Sequence, residues 1–182
     1  MEKIIVARER KRISIKNAAT YFFIYAFLGW ILEVIYAIIV EGHFVNRGFL
    51  FGPICPIYGY GALLLLFSLK GIKGNKITKF IVATISFSLF EFIVSYVLEI
   101  WFHQRWWDYS EDFLNFQGRI SLIYSLVWGI LGIVFTEKLH PMVCKKVEKI
   151  SLKVKNSTQI IIILSFIIIM LIDTILSIMS YL

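Results

Sequence analysis

The chain has 182 residues, of which 59% are hydrophobic and only 17% charged, and its mean hydropathy is +0.79. A soluble domain is closer to half apolar and a quarter charged, because it must cover its surface with polar groups. Two cysteines exclude a secreted disulfide scaffold, and 16% aromatic residues exclude a disordered chain. The composition therefore predicts an all-α integral membrane protein.

Five apolar stretches approach the roughly 20 helical residues that are needed to cross the hydrocarbon core of a bilayer. The second and fourth are short, so their spans are expected to include flanking Gly, Pro and aromatic residues. The first stretch is too long to be a removable signal peptide, and it also lacks a small-residue cleavage site. In chain order the predicted transmembrane helices are Tyr21–Val40, Pro53–Leu69, Phe80–Phe102, Ile120–Phe135 and Ile160–Met179.

Basic residues predict the orientation, because Lys and Arg prefer the cytoplasmic side of a membrane. If the five helices alternate in direction, all but three of the 19 Lys and Arg residues fall on the side of the N-terminus. The exceptions are Arg47, Arg105 and Arg119. The N-terminus is therefore predicted to be cytoplasmic and the C-terminus outside. The same bias accounts for the net charge of +7, so nucleic acid is excluded as a partner.

An internal repeat relates two parts of the chain by a shift of 66 positions. Glu33 falls on Glu99, and the pattern G-x-I-x-x-I-Y begins 19 residues after each, at Gly52 and Gly118. Both copies would begin on the same side and form two parallel repeated hairpins, with the fifth helix as an addition. The predicted parts are a basic cytoplasmic tail at 1–20 and a membrane domain at 21–136, which holds the repeats 21–69 and 87–135. A basic cytoplasmic linker at 137–159 and a C-terminal transmembrane helix at 160–182 follow.

Acidic residues inside apolar helices are costly unless they are paired, hydrated or protonated. Glu33 and Glu99 occupy equivalent repeat positions, and Glu91 lies two turns before Glu99. These carboxylates could line a polar cavity that opens outward and binds a cation or relays protons. They could equally pair inside the bundle and fix the packing of helices. For Asp173 in the last helix, a structural or interface role is favoured.

The two predicted outer connections offer partners for these acids. Gly52, Pro53 and Pro56 predict a broken helix start, whose free N–H groups are tolerated only where they face protein or a cavity. The alternative is a tight connection that caps the second helix. Arginine from either connection could pair with a carboxylate or hold a phosphate. The predicted site for a substrate or an ion consists of Glu33, Asn46, Arg47, Glu91, Glu99, Asn115 and Arg119.

Several unusual runs carry a resemblance to a known family: GWILE at 29–33, NRGFLFGPICPIYGYGA at 46–62, WWDYS at 106–110 and NFQGRISL at 115–122. Across residues 22–135 the chain resembles the ABC-transporter type IV permease family, small CmpB-like bacterial membrane proteins. The resemblance implies a multi-pass, permease-like protein of the bacterial plasma membrane and supplies no substrate. Because the chain contains no ATPase motif, an ABC transporter would need a separate nucleotide-binding subunit on the basic loops.

The sequence thus predicts a permease or transporter subunit with a polar, outward-facing site between two helical hairpins. Two alternatives stay open: a membrane-embedded enzyme acting on lipid headgroups, and a regulatory or partner membrane subunit. Hydrolase, nucleotide and metal motifs are missing, so no catalytic residue, metal or cofactor is predicted. Membrane lipids are the expected partners, and a separate ATPase, another membrane subunit or a second copy of the chain are further candidates.

Overall fold

The computed structural model describes residues 14–72 and 74–181. Most of the predicted basic tail at 1–20 therefore lies outside the described residues. The elements in chain order are α1 (Ile15–Glu41), α2 (Pro56–Ser68), α3 (Lys76–Phe102), β1 (Asn115–Phe116), β2 (Ile120–Ser121), α4 (Leu122–Val134), a π-helical turn (Phe135–Leu139), α5 (His140–Ser151) and α6 (Asn156–Tyr181).

Four helical segments in the described part of the chain are long and apolar enough to cross a membrane. They are α1, α3, α6 and the continuous helix Leu122–Ser151, which joins α4 to α5 through the π-helical turn. The remaining apolar helix, α2, has 13 residues, or about 20 Å at 1.5 Å per residue. The class of helical membrane protein is confirmed, whereas the count of five spans and the repeat stay predictions.

The helix boundaries differ from the predicted ones mainly at two places. α1 begins six residues early because the Ser14 hydroxyl caps it, accepting a hydrogen bond from the Asn17 N–H at 3.2 Å. The helix that starts at Leu122 continues beyond Phe135 to Ser151, and α6 begins at Asn156, so most of the predicted linker at 137–159 is helical. Pro141 lacks an N–H, and the π-helical turn directly before it changes the hydrogen-bond pattern at that point.

One end of the bundle collects the starts of α1, α3 and α6. Lys16 at the start of α1 donates to the side-chain oxygen of Asn156 at the start of α6, at 2.8 Å. Lys79 in the first turn of α3 pairs with Glu137 in the π-helical turn, at 3.0 Å. We call this the basic end, because the described basic connections lie there.

Aromatic side chains join the opposite end, which we call the aromatic end. Tyr181, the last residue of α6, stacks on Phe49 with ring centroids 5.3 Å apart. The same ring meets Phe102 at the end of α3 and Trp106, at 6.0 and 5.5 Å. The described chain therefore begins at the basic end and finishes at the aromatic end.

The first connection at the aromatic end (residues 42–55) folds back deep into the bundle. The Cys55 N–H donates to the Ala26 carbonyl at 3.0 Å, and Ala26 lies fifteen residues before the end of α1. Fifteen helical residues correspond to about 22 Å. α2 therefore begins near the middle of the bundle, which explains why it is short.

The second connection at the aromatic end (residues 103–121) also reaches inward. The Tyr109 hydroxyl donates to Glu91, eleven residues before the end of α3, at 2.9 Å. The Arg119 side chain donates to Ser95, seven residues before that end, at 3.3 Å. The first connection thus brings its backbone, and the second its side chains, to the depth of the acidic residues in α1 and α3.

Candidate functional site

Glu33 in α1 is held by a phenol from the first turn of α2. Its Oε1 accepts a hydrogen bond from the Tyr58 hydroxyl. Tyr58 fits there because Gly29, one turn earlier in α1, has no side chain, and a Cβ at that position would overlap the Tyr58 ring. The N-terminal end of a helix also carries partial positive charge, which favours a nearby carboxylate. Glu33 is therefore stabilised by the neutral Tyr58 hydroxyl and by the N-terminal end of α2.

Glu91 in α3 is the most buried of the predicted carboxylates, with 6% of its surface exposed. Its Oε1 accepts the 2.9 Å hydrogen bond from Tyr109, whose ring stacks on Tyr124 with centroids 4.6 Å apart. Its Oε2 has no hydrogen-bond partner among the described residues, although the Trp128 indole interacts with the same carboxyl group. A buried oxygen without an aligned donor is costly, and such costs concentrate at functional sites.

Tyr58 and Tyr109 each bind one of these two acids. The Tyr58 hydroxyl donates to Glu33 and the Tyr109 hydroxyl to Glu91, and the two phenols lie close enough to interact electrostatically without a hydrogen bond between them. Burial, followed by the nearby Glu91 carboxylate, raises the pKa of Tyr109 above its usual value, so its hydroxyl keeps the proton that it donates. We call Glu33, Tyr58, Tyr109 and Glu91 the carboxylate–tyrosine chain. It joins the α1–α2 pair to the α3–α4 pair.

Glu99, by contrast, forms ion pairs with two arginines. The Arg105 Nε lies 3.2 Å from Glu99 Oε1, and Arg119 pairs with the other carboxylate oxygen. Arg119 is 7% exposed, and its guanidinium lies over the Tyr96 ring, 5.2 Å from the centroid. The charges of Glu99 and Arg119 therefore compensate each other and attach the second connection to α3.

A tight turn positions Arg119. Gln117 and Gly118 both have positive φ angles, 55° and 67°, and the Arg119 N–H closes the turn on the Phe116 carbonyl at 3.1 Å. Two successive positive φ angles are typical of the type I′ turn that joins paired strands, here β1 and β2. The strand pair is too short to be visible in the sequence pattern, and it was not predicted.

Both predicted asparagines stabilise their own connections. Asn46 accepts a hydrogen bond from the Trp30 indole at 2.7 Å and donates to the Phe51 carbonyl at 2.8 Å. Asn115 accepts from the Gly118 N–H at 3.0 Å and donates to the carbonyls of residues 110 and 112, each at 3.0 Å. Their amide groups therefore hold loops in place, a structural role that residue type alone did not reveal.

Arg47 pairs with Glu41 at the last residue of α1. Glu33 lies eight residues deeper, which corresponds to about 12 Å along the helix. The Arg47 side chain is 36% exposed. The structure therefore separates Arg47 from the carboxylate–tyrosine chain, while it brings Arg119 and Glu99 together.

The predicted helix break at Gly52, Pro53 and Pro56 binds a carboxylate from the same chain. The N–H groups of Phe51 and Gly52 donate to Asp173 in α6, at 3.0 and 2.8 Å. A Cβ on Gly52 would lie 2.8 Å from an Asp173 oxygen, so only glycine allows this approach. Pro56 starts α2, as its missing N–H favours. Asp173 therefore has an internal structural role.

A wide-open cavity of about 450 Å³ is lined by residues of α3, α4 and the second connection. Its walls are mainly apolar, including Leu89 and Phe92, and Ser88 and Ser125 contribute hydroxyl groups. These two hydroxyls bond to each other at 2.7 Å. None of the seven predicted site residues lines this cavity, so it is a feature separate from the carboxylate–tyrosine chain.

The structure adds aromatic residues to the predicted site: Tyr58, Tyr109, Tyr124 and Trp128. Tyr58 and Tyr124 both end the repeated pattern G-x-I-x-x-I-Y, and Tyr109 lies in WWDYS. The sequence analysis used these residues only as signs of the repeat and of the family resemblance and did not place them in the site. The sequence signal that could have revealed these tyrosines was their fixed spacing from the glutamates, because a phenol is a neutral donor that can bind a buried carboxylate.

The fold and these charged residues define a helical, multi-pass membrane protein. The sequence model of the family described as "Putative ABC-transporter type IV" matches residues 20–178, and the chain belongs to this family. The protein is therefore transporter-related, and the match extends the resemblance from residues 22–135 into α6. Comparison with curated proteins and with solved structures gives no match.

Proposed function

We propose that the chain is a permease-like subunit of a transporter in the bacterial plasma membrane. Family membership supports the transport role. The gathering of described lysines at the basic end supports a cytoplasmic N-terminus and an outside C-terminus. The two pairs α1–α2 and α3–α4 support two repeats at 21–69 and 87–135, followed by the linker and the final helix.

In this proposal the carboxylate–tyrosine chain binds a cation or carries protons between the two helix pairs. The observation that carries it is the buried Glu91 carboxyl group, which keeps one oxygen without an aligned donor. Phenol hydroxyls can accept and donate protons, so Tyr58 and Tyr109 can relay between Glu33 and Glu91. Four other predicted residues hold the two connections beside this chain: Asn46, Glu99, Asn115 and Arg119. Arg47 lies apart from it and pairs with Glu41.

The break before α2 supports the same proposal. Irregular backbone at membrane depth is tolerated only inside protein or beside a cavity, and transporters place ion sites at such interrupted helices. The arginines favour transport over a lipid-headgroup enzyme, since Arg47 and Arg119 are both paired with carboxylates of this chain. Each guanidinium charge is thus already matched by a carboxylate of the same chain.

A separate ATPase subunit would bind at the basic end in this proposal. α5 exposes Lys145, Lys146 and Lys149 there. These lysines suit either an acidic partner surface or anionic lipid headgroups. Copurification of an ATPase with the detergent-extracted chain, lost when all three lysines are changed to Ser, is the expected result.

The ion pathway is tested with the full chain in liposomes that contain a pH-sensitive dye. In one experiment valinomycin imposes a potassium diffusion potential across the liposome membrane. In a second experiment a sodium gradient is added to that potential. We expect proton flux, driven by the potential or by the sodium gradient, that Glu91→Gln lowers at least about 10-fold, with Glu33→Gln similar. Glu111→Gln is the matched control, because Glu111 is an exposed loop carboxylate. Flux equal to that of protein-free vesicles, or unchanged in Glu91→Gln, would contradict the proposal.

A further inference from the structure

A second cluster of titratable side chains lies at the basic end, away from the carboxylate–tyrosine chain. It consists of Tyr21 and Tyr25 on α1 and His140 and Cys144 on α5. The Cys144 Sγ lies 3.2 Å from His140 Nε2 and 3.0 Å from the Tyr21 hydroxyl. The Tyr25 hydroxyl lies 2.8 Å from His140 Nδ1. One thiol, one imidazole and two phenols therefore form a continuous hydrogen-bonded group.

Helix geometry explains why these four groups meet. Tyr21 and Tyr25 are four residues apart on α1, and His140 and Cys144 are four apart on α5, so each pair shares one helix face. Both tyrosines are buried, whereas His140 and Cys144 are partly exposed. The sulfur and the imidazole therefore lie at the edge of the cluster, and the two phenols hold them from its buried side.

Three donor atoms of different type converge in this group: a sulfur, an imidazole nitrogen and a phenol oxygen. Two ligands of a tetrahedral zinc ion, at bond lengths of about 2.0 and 2.3 Å, are separated by about 3.5 Å. The observed separations of 3.2 and 3.0 Å are only a few tenths of an ångström shorter, within reach of small side-chain rotations. A zinc ion would replace the thiol proton of Cys144 and lie between its sulfur, His140 Nε2 and the Tyr21 oxygen.

The second nitrogen of His140 has the partner that metal-bound histidines have. Such histidines donate their other ring N–H to an oxygen, which fixes the tautomer and the orientation of the ring. The Tyr25 hydroxyl lies in that position, and in the tautomer that carries the proton on Nδ1 the Nε2 lone pair faces the sulfur. Sulfur and imidazole ligands favour zinc and related transition metals over magnesium or calcium.

We propose that Cys144, His140 and Tyr21 form a transition-metal site for an ion of the Zn²⁺ class, with Tyr25 as a positioning residue. Binding forms a metal–sulfur bond, and the thiol proton passes to water. Groups of three His, Cys, Asp or Glu side chains suited to a metal do not occur in residues 14–72 and 74–181. The third ligand here is a tyrosine from another helix, which is why the sequence did not predict a metal.

The test uses the full chain in detergent, stripped of metal with a chelator and titrated with Zn²⁺ against a chromophoric indicator. We expect about one Zn²⁺ per chain, and Co²⁺ should give a thiolate charge-transfer band. Cys144→Ser and His140→Gln should each weaken binding at least about 100-fold, and Tyr25→Phe about 10-fold. Cys55→Ser is the matched control and should bind Zn²⁺ as the unchanged protein does, since Cys55 lies near the start of α2.

A second measurement keeps the test decisive if a variant folds poorly. In Cys55→Ser protein, Cys144 is the one remaining cysteine of the chain. Bound Zn²⁺ should slow its alkylation by iodoacetamide at least about 10-fold. Absence of stoichiometric zinc binding, zinc binding that survives in Cys144→Ser, or alkylation unaffected by zinc would each overturn the proposal and leave a hydrogen-bonded packing contact.

Discussion

The two connections at the aromatic end reach similar depths by different means. The first is held by other parts of the chain: Asp173 of α6 binds the N–H groups of Phe51 and Gly52, and Ala26 of α1 binds that of Cys55. The second is held by its own turn at Gln117–Gly118 and Asn115 amide, and by bonds from Tyr109 and Arg119 to α3. α6 thus holds the first connection by hydrogen bonds to its backbone, whereas it meets the second through the Tyr181 ring against Trp106.

Glu33 and Glu99, the glutamates that these connections meet, differ in their depth and in their partners. Glu33 and Glu99 are separated by the 66-residue shift of the repeat, yet Glu33 lies eight residues before the end of α1 and Glu99 three before the end of α3. Glu33 meets a phenol, and Glu99 meets two arginines. A repeat that aligns residue types thus does not align their depth, and only one of the two acids is left with a neutral partner.

The largest expected effect follows from a side chain at Gly29. Gly29→Val places atoms where the Tyr58 ring now lies, so α1 and α2 must separate and the Glu33–Tyr58 hydrogen bond must break. Overpacking of this kind lowers the free energy of unfolding by about 3 kcal/mol. Thermal unfolding of the detergent-solubilised protein measures the loss.

The comparison variant is Ser95→Ala, at the position equivalent to Gly29 in the second helix pair. It removes the hydroxyl that accepts from Arg119 and creates no overlap, so we expect a loss of about 1 kcal/mol. An equal loss of unfolding free energy in Gly29→Val and Ser95→Ala would mean that the two helix pairs pack alike. That result would contradict the tighter contact described for α1 and α2.

A smaller effect is expected for Asp173→Leu. It leaves the Phe51 and Gly52 N–H groups without their acceptor, which lowers the free energy of unfolding by about 2 kcal/mol. Hydrogen exchange should become faster in residues 48–55 and stay unchanged in residues 103–121. Thr174→Ala is the control, because that hydroxyl bonds only within α6, to the Met170 carbonyl. Faster exchange in both connections would refute the independence of the second.

The reciprocal change is Asn115→Ala, with a loss of about 1 kcal/mol. It removes the acceptor of the Gly118 N–H and two donors to loop carbonyls. Hydrogen exchange should become faster in residues 103–121, most at Gly118, and stay unchanged in residues 42–55. An equal response in the first connection would mean that the two connections are coupled.

Apolar length and the Gly and Pro residues predicted the long apolar helices and the irregular segment before α2 from sequence. The functional role of the acids stays a prediction. The re-entrant depth of Cys55 could not be predicted, because it depends on one backbone hydrogen bond to Ala26 across 29 residues. The partner of Arg47 was missed for a similar reason, since helix continuation to Glu41 places an acid nearer than Glu33. Long-range pairings of polar groups follow from packing, which composition and periodicity do not specify.

The smallest effect concerns pH and the second connection alone. Hydrogen bonds from the hydroxyl and N–H of Ser110, together with the Arg105 guanidinium, lower the pKa of Asp108 below its usual value of 3.8. A lowered pKa in the folded protein means that this contribution to local order is complete above about pH 4 and is lost as the pH falls through the folded value. The effect is small because the carboxylate is 52% exposed and solvent weakens its ion pair. Iodide quenching of tryptophan fluorescence between pH 7 and 3 should show a step below pH 4 as Trp106 and Trp107 become more accessible. Asp108→Asn should remove that step, and a step that persists in this variant would assign the acid sensitivity to another carboxylate.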